Sequence, residues 1–178
     1  MREESTLVCG SGYPLTARQR ELISLADSLG PSFAGRAARY DREASFPHEN
    51  YAELKAAGLL GVCVPERYGG GGADLATYSL ASATIGKYCG ATALTFNMHA
   101  CSTLWPGVLA DDLEMSEAER AEHEQRRALH FSRVVKDGAI YAQPFSEGGA
   151  AAAGRAPFGT LATEVEGGWR INGKKIFA

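Results

Sequence analysis

The sequence is poor in the features that mark a metalloprotein, a membrane protein or a nucleic-acid binder. Its four cysteines, Cys9, Cys63, Cys89 and Cys101, lie far apart and form no CxxC pair. That argues against a zinc site and reads as free thiols in a reducing cytoplasm. No apolar run approaches the ~20 residues needed to span a bilayer, and no signal-peptide core is present. Lys and Arg total 18 against 21 Asp and Glu, a formal charge of −3, with no basic run or face. Nucleic acid is therefore not expected as a partner, and neither is a membrane. Repeats are absent, and low complexity is confined to the Ala/Gly-rich "GGAAAAGRA". What remains is 178 residues of ordinary globular composition, 45% hydrophobic and 22% charged, with a cytoplasmic location as the expectation.

The first three quarters carry helical spacing. Thr16 and Gln19 form a capping-box pattern, and Leu22, Leu25, Leu29 and Phe33 recur on one face. Gly30-Pro31 should bend or interrupt this first helix. A second helix is predicted from near Pro47 to Gly58, with Tyr51 and Leu54 facing inward. In "VPERYGGGGAD", residues 64–74, four glycines forbid regular structure and Asp74 can cap a third helix carrying Leu75, Tyr78, Ile85 and Tyr88, ended by Gly90. Tyr68-Gly69-Gly70 reads as shaping the turn between helices. A fourth, very apolar helix spans roughly Thr92 to Leu104. The fifth has Ser116 as cap, Glu119 three residues on, and an apolar end around Leu129, Phe131 and Val134. The charged run 111–127 reads as a solvated face.

After "KDG" (136–138) the period changes. Ala139 to Ala142 is predicted as a short strand. Gly167-Gly168 and Asn172-Gly173 are hairpin signals, so Thr160 to Val165 should pair with Trp169 to Ile171, and Lys174 to Phe177 should start another strand. Helices followed by strands give an α+β reading: a flexible N-terminus over 1–14, a helical domain over 15–137, and an incomplete antiparallel β domain over 138–178 with an open sheet edge.

Four stretches in order carry a family resemblance: "FPHENYAELKAAGLLGVCVPERYGGGGADL", "IGKYCGATALTFNMHACS", "YAQPFSEGG" and "GGWRINGKKIFA". Together they resemble the acyl-CoA dehydrogenase family, over roughly residues 15–178. The resemblance implies an N-terminal α domain, the start of a middle β barrel, and a C-terminal four-helix domain outside these residues. It implies FAD as cofactor, an acyl thioester of CoA or acyl carrier protein as substrate, a homodimer or homotetramer, and a place in fatty acid metabolism. The family reaction removes an α proton and passes a β hydride to flavin N5, with a carboxylate as base. By the same resemblance that base lies beyond residue 178, and Glu147 does not take its role.

The resemblance further implies flavin contacts from Tyr141, Gln143, Ser146, Gly148 and Phe177. Ser146 stands where the family usually has Thr, and Gly148 and Gly149 let the backbone approach the cofactor. Thr92, Thr95, Phe96, His99 and Ser146 would line the substrate pocket. By its apolar surroundings alone, His99 reads as a core histidine with its ring nitrogens satisfied, and Phe96 equally as packing. One departure is clear: Ala150 to Ala153 stand where the family often has Gly-Ser-Asp. It leaves open a rival reading, a flavin-dependent monooxygenase or oxidase of the same fold; a further alternative, a non-catalytic binding or assembly subunit, follows if the chain is a genuinely short protein.

Overall fold

Local sequence accounts for most of the helix boundaries. The computed structural model describes residues 14–149, 151 and 154–176, in two units that divide between Tyr141 and Ala142. In the first unit, α1 (Ala17–Glu43) starts at the capping box foreseen: the Thr16 hydroxyl accepts from the Gln19 amide and the Gln19 side chain accepts from the Thr16 amide. α2 (His48–Ala56) ends before Gly58, which adopts a left-handed φ of 74°. α3 (Leu75–Gly86) is capped by Asp74, whose carboxylate accepts from the Thr77 amide at 2.8 Å. α4 spans Gly90–Leu104, and α5 (Glu117–Ser132) carries the reciprocal Ser116–Glu119 cap. α3 packs along α1 and α4. Phe33, Leu54, Ile85, Phe96 and Phe131 fill the centre without exposure.

Several sequence expectations fail here for identifiable reasons. α1 is not interrupted at Pro31. Pro31 removes one helical hydrogen bond, but its turn is braced from outside. Gly30 lies so close to the Tyr88 ring that an added Cβ would come within 2.2 Å of it, and the Tyr88 hydroxyl donates to Asp27 at 2.8 Å. Gly90 opens α4 instead of ending α3, which stops at Gly86. The end of α4 at Leu104 is as foreseen, and a separate π-type turn over Trp105–Leu109, kinked at Gly107, follows it. The charged run is not solvated throughout. Arg127 is buried, donating to the Pro106 carbonyl at 2.9 Å and pairing with Asp111 at 2.7 Å and with Glu124. A buried guanidinium so paired ties α5 to the turn after α4.

The four glycines do forbid a regular element, yet their backbone is ordered. Gly71, Gly72 and Ala73 donate to the carbonyls of Gly61, Val64 and Val62, each at 2.9 Å. The approach requires glycine: a Cβ on Gly70 would sit 2.2 Å from the Val64 carbonyl oxygen.

In the second unit, β1 (Leu161–Val165) and β2 (Gly168–Asn172) form an antiparallel pair in the register Leu161↔Asn172 to Val165↔Gly168. The turn is one residue earlier than foreseen, at Glu166-Gly167, where Gly167 takes a φ of 80°. Among the described residues no other strand forms. Residues 139–142 belong to no sheet, and the Tyr141 amide bonds to a side chain of α4 instead of a strand neighbour. Residues 174–176 likewise stay outside the sheet, although Ile176 donates its amide to the Ser146 carbonyl at 2.9 Å. Among the described residues the fold is thus five α-helices, with short helical turns between them, and a small antiparallel two-stranded sheet. No helix among the described residues is long and apolar enough to cross a membrane.

Candidate functional site

The candidate residues of α4 face inward. Thr92 is fully buried; its hydroxyl accepts from the Asn50 side-chain Nδ2 at 2.8 Å and donates to Cys89 Sγ at 3.1 Å. It also borders a cleft of about 490 Å³ shared with Tyr40, Asp41 and Tyr88. Thr95 is half-buried and returns its hydroxyl to the Ala91 carbonyl at 3.1 Å. Phe96 has no exposure.

His99 is also without exposure, and both its ring nitrogens are engaged. Nδ1 accepts from the Tyr141 main-chain N–H at 3.0 Å. Nε2 lies 2.9 Å from the Leu60 carbonyl oxygen. An amide can only donate and a carbonyl can only accept, so the proton sits on Nε2. Burial pushes the imidazole's pKa below its ordinary value, keeping the ring neutral. Tyr141 stacks on it, with ring centres 6.4 Å apart and planes 9° apart. The exposed His130 approaches the Tyr141 hydroxyl at 3.2 Å. Two residues singled out for different roles, one for substrate and one for cofactor, are therefore direct partners.

In the second unit the Gly-rich bend is organised by a residue to which the sequence reading gave no role. Glu147 is buried, and its carboxylate accepts from the amides of Gly159 at 2.6 Å and Thr160 at 3.0 Å and from Lys175 Nζ at 2.8 Å. Lys175 also donates to the Phe145 carbonyl at 3.2 Å. Lys175, with the two amides, holds the Glu147 carboxyl down to about 2. A carboxylate so stabilised is a fixed anion and a weak base, since an efficient general base has a pKa near the operating pH. The Glu147–Lys175 pair is 28 residues apart in sequence, and no local pattern announces it.

Around this clamp, Gln143 is half-buried and its carbonyl accepts from the Phe145 amide at 2.8 Å. Ser146 is half-buried. Gly148 lies exposed, and a Cβ there would meet nothing within 4 Å. Gly148 borders a cleft of about 380 Å³ with Glu147, Gly159, Gly173, Lys174 and Ile176. Phe177, and most of the Ala150–Ala153 stretch, fall outside the described residues. Among the described residues no cluster of His, Cys, Asp or Glu suits a metal ion.

Residues 19–109 match the family described as acyl-CoA dehydrogenase, N-terminal domain. The chain is 34% identical over 87 residues to the probable acyl-CoA dehydrogenase YngJ of Bacillus subtilis, covering 47% of this chain and 22% of that protein. It is 26% identical over 162 residues to the putative acyl-CoA dehydrogenase YdbM of the same organism, covering 90% of this chain and 39% of the relative. The chain thus spans well under half the length of these curated relatives. Among solved structures, the FMN-bound TdsC of Paenibacillus sp. A11-2 is similar with a TM-score of 0.70 at 21% identity, over 88% of this chain and 36% of that one.

Proposed function

This chain belongs to the acyl-CoA dehydrogenase family, and from that premise we propose that it is the N-terminal part of an FAD-dependent enzyme that desaturates an acyl thioester. In this reading residues 15–137 are the helical domain and residues 138–178 the beginning of the middle β domain. The enzyme acts as a homodimer or homotetramer in cytoplasmic fatty acid metabolism, on an acyl group carried by CoA or acyl carrier protein. The observation that carries the proposal is the family match over half of the chain.

The flavin, when bound, supplies the hydride acceptor. Tyr141, Gln143, Ser146, Gly148 and Phe177 are its proposed contacts. The described residues fit that role. Gly148 offers main chain with open space where a side chain would stand, and the Glu147–Lys175 clamp fixes the bend before any ligand arrives. Such preorganisation lowers the ordering cost of binding. Thr92, Thr95, Phe96 and His99 of α4 are proposed to belong to the substrate pocket, the buried Phe96 and His99 as the packing behind its surface, and Ser146 is proposed as a further pocket residue. Glu147 stays ionised and spends its oxygens on main chain and Lys175, so it does not abstract the α proton.

The Ala-rich replacement of Gly-Ser-Asp at residues 150–153 supports a second reading, a flavin monooxygenase or oxidase of the same fold. Anaerobic addition of acyl-CoAs of graded length to the FAD-loaded holoprotein decides between them. The desaturation reading expects bleaching of the flavin absorbance and slow reoxidation by oxygen. No bleaching with any acyl-CoA, or rapid oxygen consumption with a hydroxylated product, overturns it.

A further inference from the structure

We propose that His99 is the positioning residue for Tyr141: its two nitrogens tie the Tyr141 main chain to the Leu60 turn, and so set where the Tyr141 ring is presented. The proposal rests on the flavin reading only in its last link, the claim that the ring so placed faces the cofactor.

Three observations carry it. First, each ring nitrogen goes to a different segment: Nε2–H to the carbonyl of Leu60 in the turn after α2, and Nδ1 to the amide of Tyr141 beyond α5. A histidine that merely fills space needs no such division. Second, the arrangement admits one tautomer only. A protonated ring would turn an N–H toward the Tyr141 N–H, donor against donor. Third, the Tyr141 ring meets two other rings, stacked on His99 and met edge-on by His130 at 6.0 Å between ring centres. Complete burial then matters: it keeps His99 uncharged and preserves the acceptor that the Tyr141 amide uses.

Two substitutions separate the two arms. In His99→Asn the side-chain oxygen falls where Nδ1 stands, so the Tyr141 bond survives and the Leu60 bond is lost. In His99→Gln the longer amide reaches the Leu60 carbonyl and leaves the Tyr141 amide without its acceptor. Hydrogen exchange of the Tyr141 amide in the full chain is expected to be about tenfold faster in the Gln variant than in the Asn variant, the scale of one net hydrogen bond. Exchange at Phe96 should move equally in both. Equal acceleration at Tyr141 in the two variants overturns the proposal. Should either variant fail to fold, nitrogen NMR of wild-type His99 still decides: a proton on Nε2 and a bare Nδ1 support the latch, and the reverse overturns it. A titration with FAD tests the last link alone. Weaker flavin binding in the Gln variant than in the Asn variant supports it. Unchanged affinity, with the exchange result as expected, keeps the latch and overturns its role toward the flavin.

Discussion

The two units of this chain are held together by different physics. In the first, Phe33, Leu54, Phe96 and Phe131 are wholly enclosed among packed helices, and the stabilisation comes from apolar area removed from water. In the second, every residue of β1 and β2 is exposed, with Leu161 at 67%, Trp169 at 63% and Ile171 at 69%. A lone two-stranded hairpin is marginal in water. What steadies its neighbourhood is polar and directional: the Glu147 carboxylate on two amides and Lys175, Lys175 on the Phe145 carbonyl, and the Ile176 amide on the Ser146 carbonyl. Ring contacts add to it, with Phe145 edge-on to Phe158 and Lys175 over the Phe158 face at 4.5 Å. A helical core tolerates many side chains of roughly the right volume. A charged clamp tolerates few.

The largest effect should come from breaking the enclosed side. Phe96→Ala removes a ring without exposure at the centre of the core and is expected to cost about 3–5 kcal/mol, the transfer and cavity terms together. Urea denaturation followed by helical circular dichroism measures it. A cost below about 1 kcal/mol would show that α4 is not packed as described.

The same contrast decides what can be read without coordinates. Helix ends were legible where a cap needs only residues three apart, as at Thr16–Gln19, Asp74–Thr77 and Ser116–Glu119, and the inward faces of Tyr51, Leu54 and Phe33 followed from spacing. That β1 pairs with β2 was legible from the glycines between two β-forming runs, but the register was not, because the turn falls at Glu166-Gly167 instead of Gly167-Gly168. The unbroken α1 was not, since the brace at Pro31 comes from Tyr88 and Asp27, and Tyr88 lies far along the chain. Arg127 looked like one more charge on a solvated face; its burial depends on the Pro106 carbonyl and Asp111, supplied by a different segment. At the candidate site, the satisfied histidine was legible, but its partner Tyr141 was not, because 42 residues separate them. Non-local polar bonds leave no periodic trace.

Acid should distinguish the units next. The Glu147 carboxyl, ordinarily near 4.5, is held at about 2 in the folded chain. A depressed carboxylate contributes stability that is complete above about 4.5 and disappears as pH falls toward about 2. In the first unit, the buried His99 has its proton affinity lowered from an ordinary 6.5, so its contribution is complete above 6.5 and lost as pH falls through its depressed pKa. A carbon NMR titration of the Glu147 carboxyl is therefore expected to show a midpoint near 2, moving upward in Lys175→Met. A midpoint above 4 in the wild type would mean that the clamp does not exist in solution.

The smallest effect should come from the exposed hairpin. Trp169 is large and apolar, yet it stands 63% exposed opposite Glu164. Removing it gives up a cross-strand pair of the order of 0.2–1 kcal/mol and creates no cavity. Trp169→Ala is accordingly expected to change stability by less than about 1 kcal/mol, against several for Phe96→Ala. The measurement sharpens the comparison most if made at two protein concentrations. A concentration-dependent loss of about 3 kcal/mol would mean that a second copy covers the hairpin, because only an associating surface makes stability depend on protomer concentration. In that event the exposure of β1 and β2 describes the single chain alone, and the second unit would rest on apolar burial as the first does.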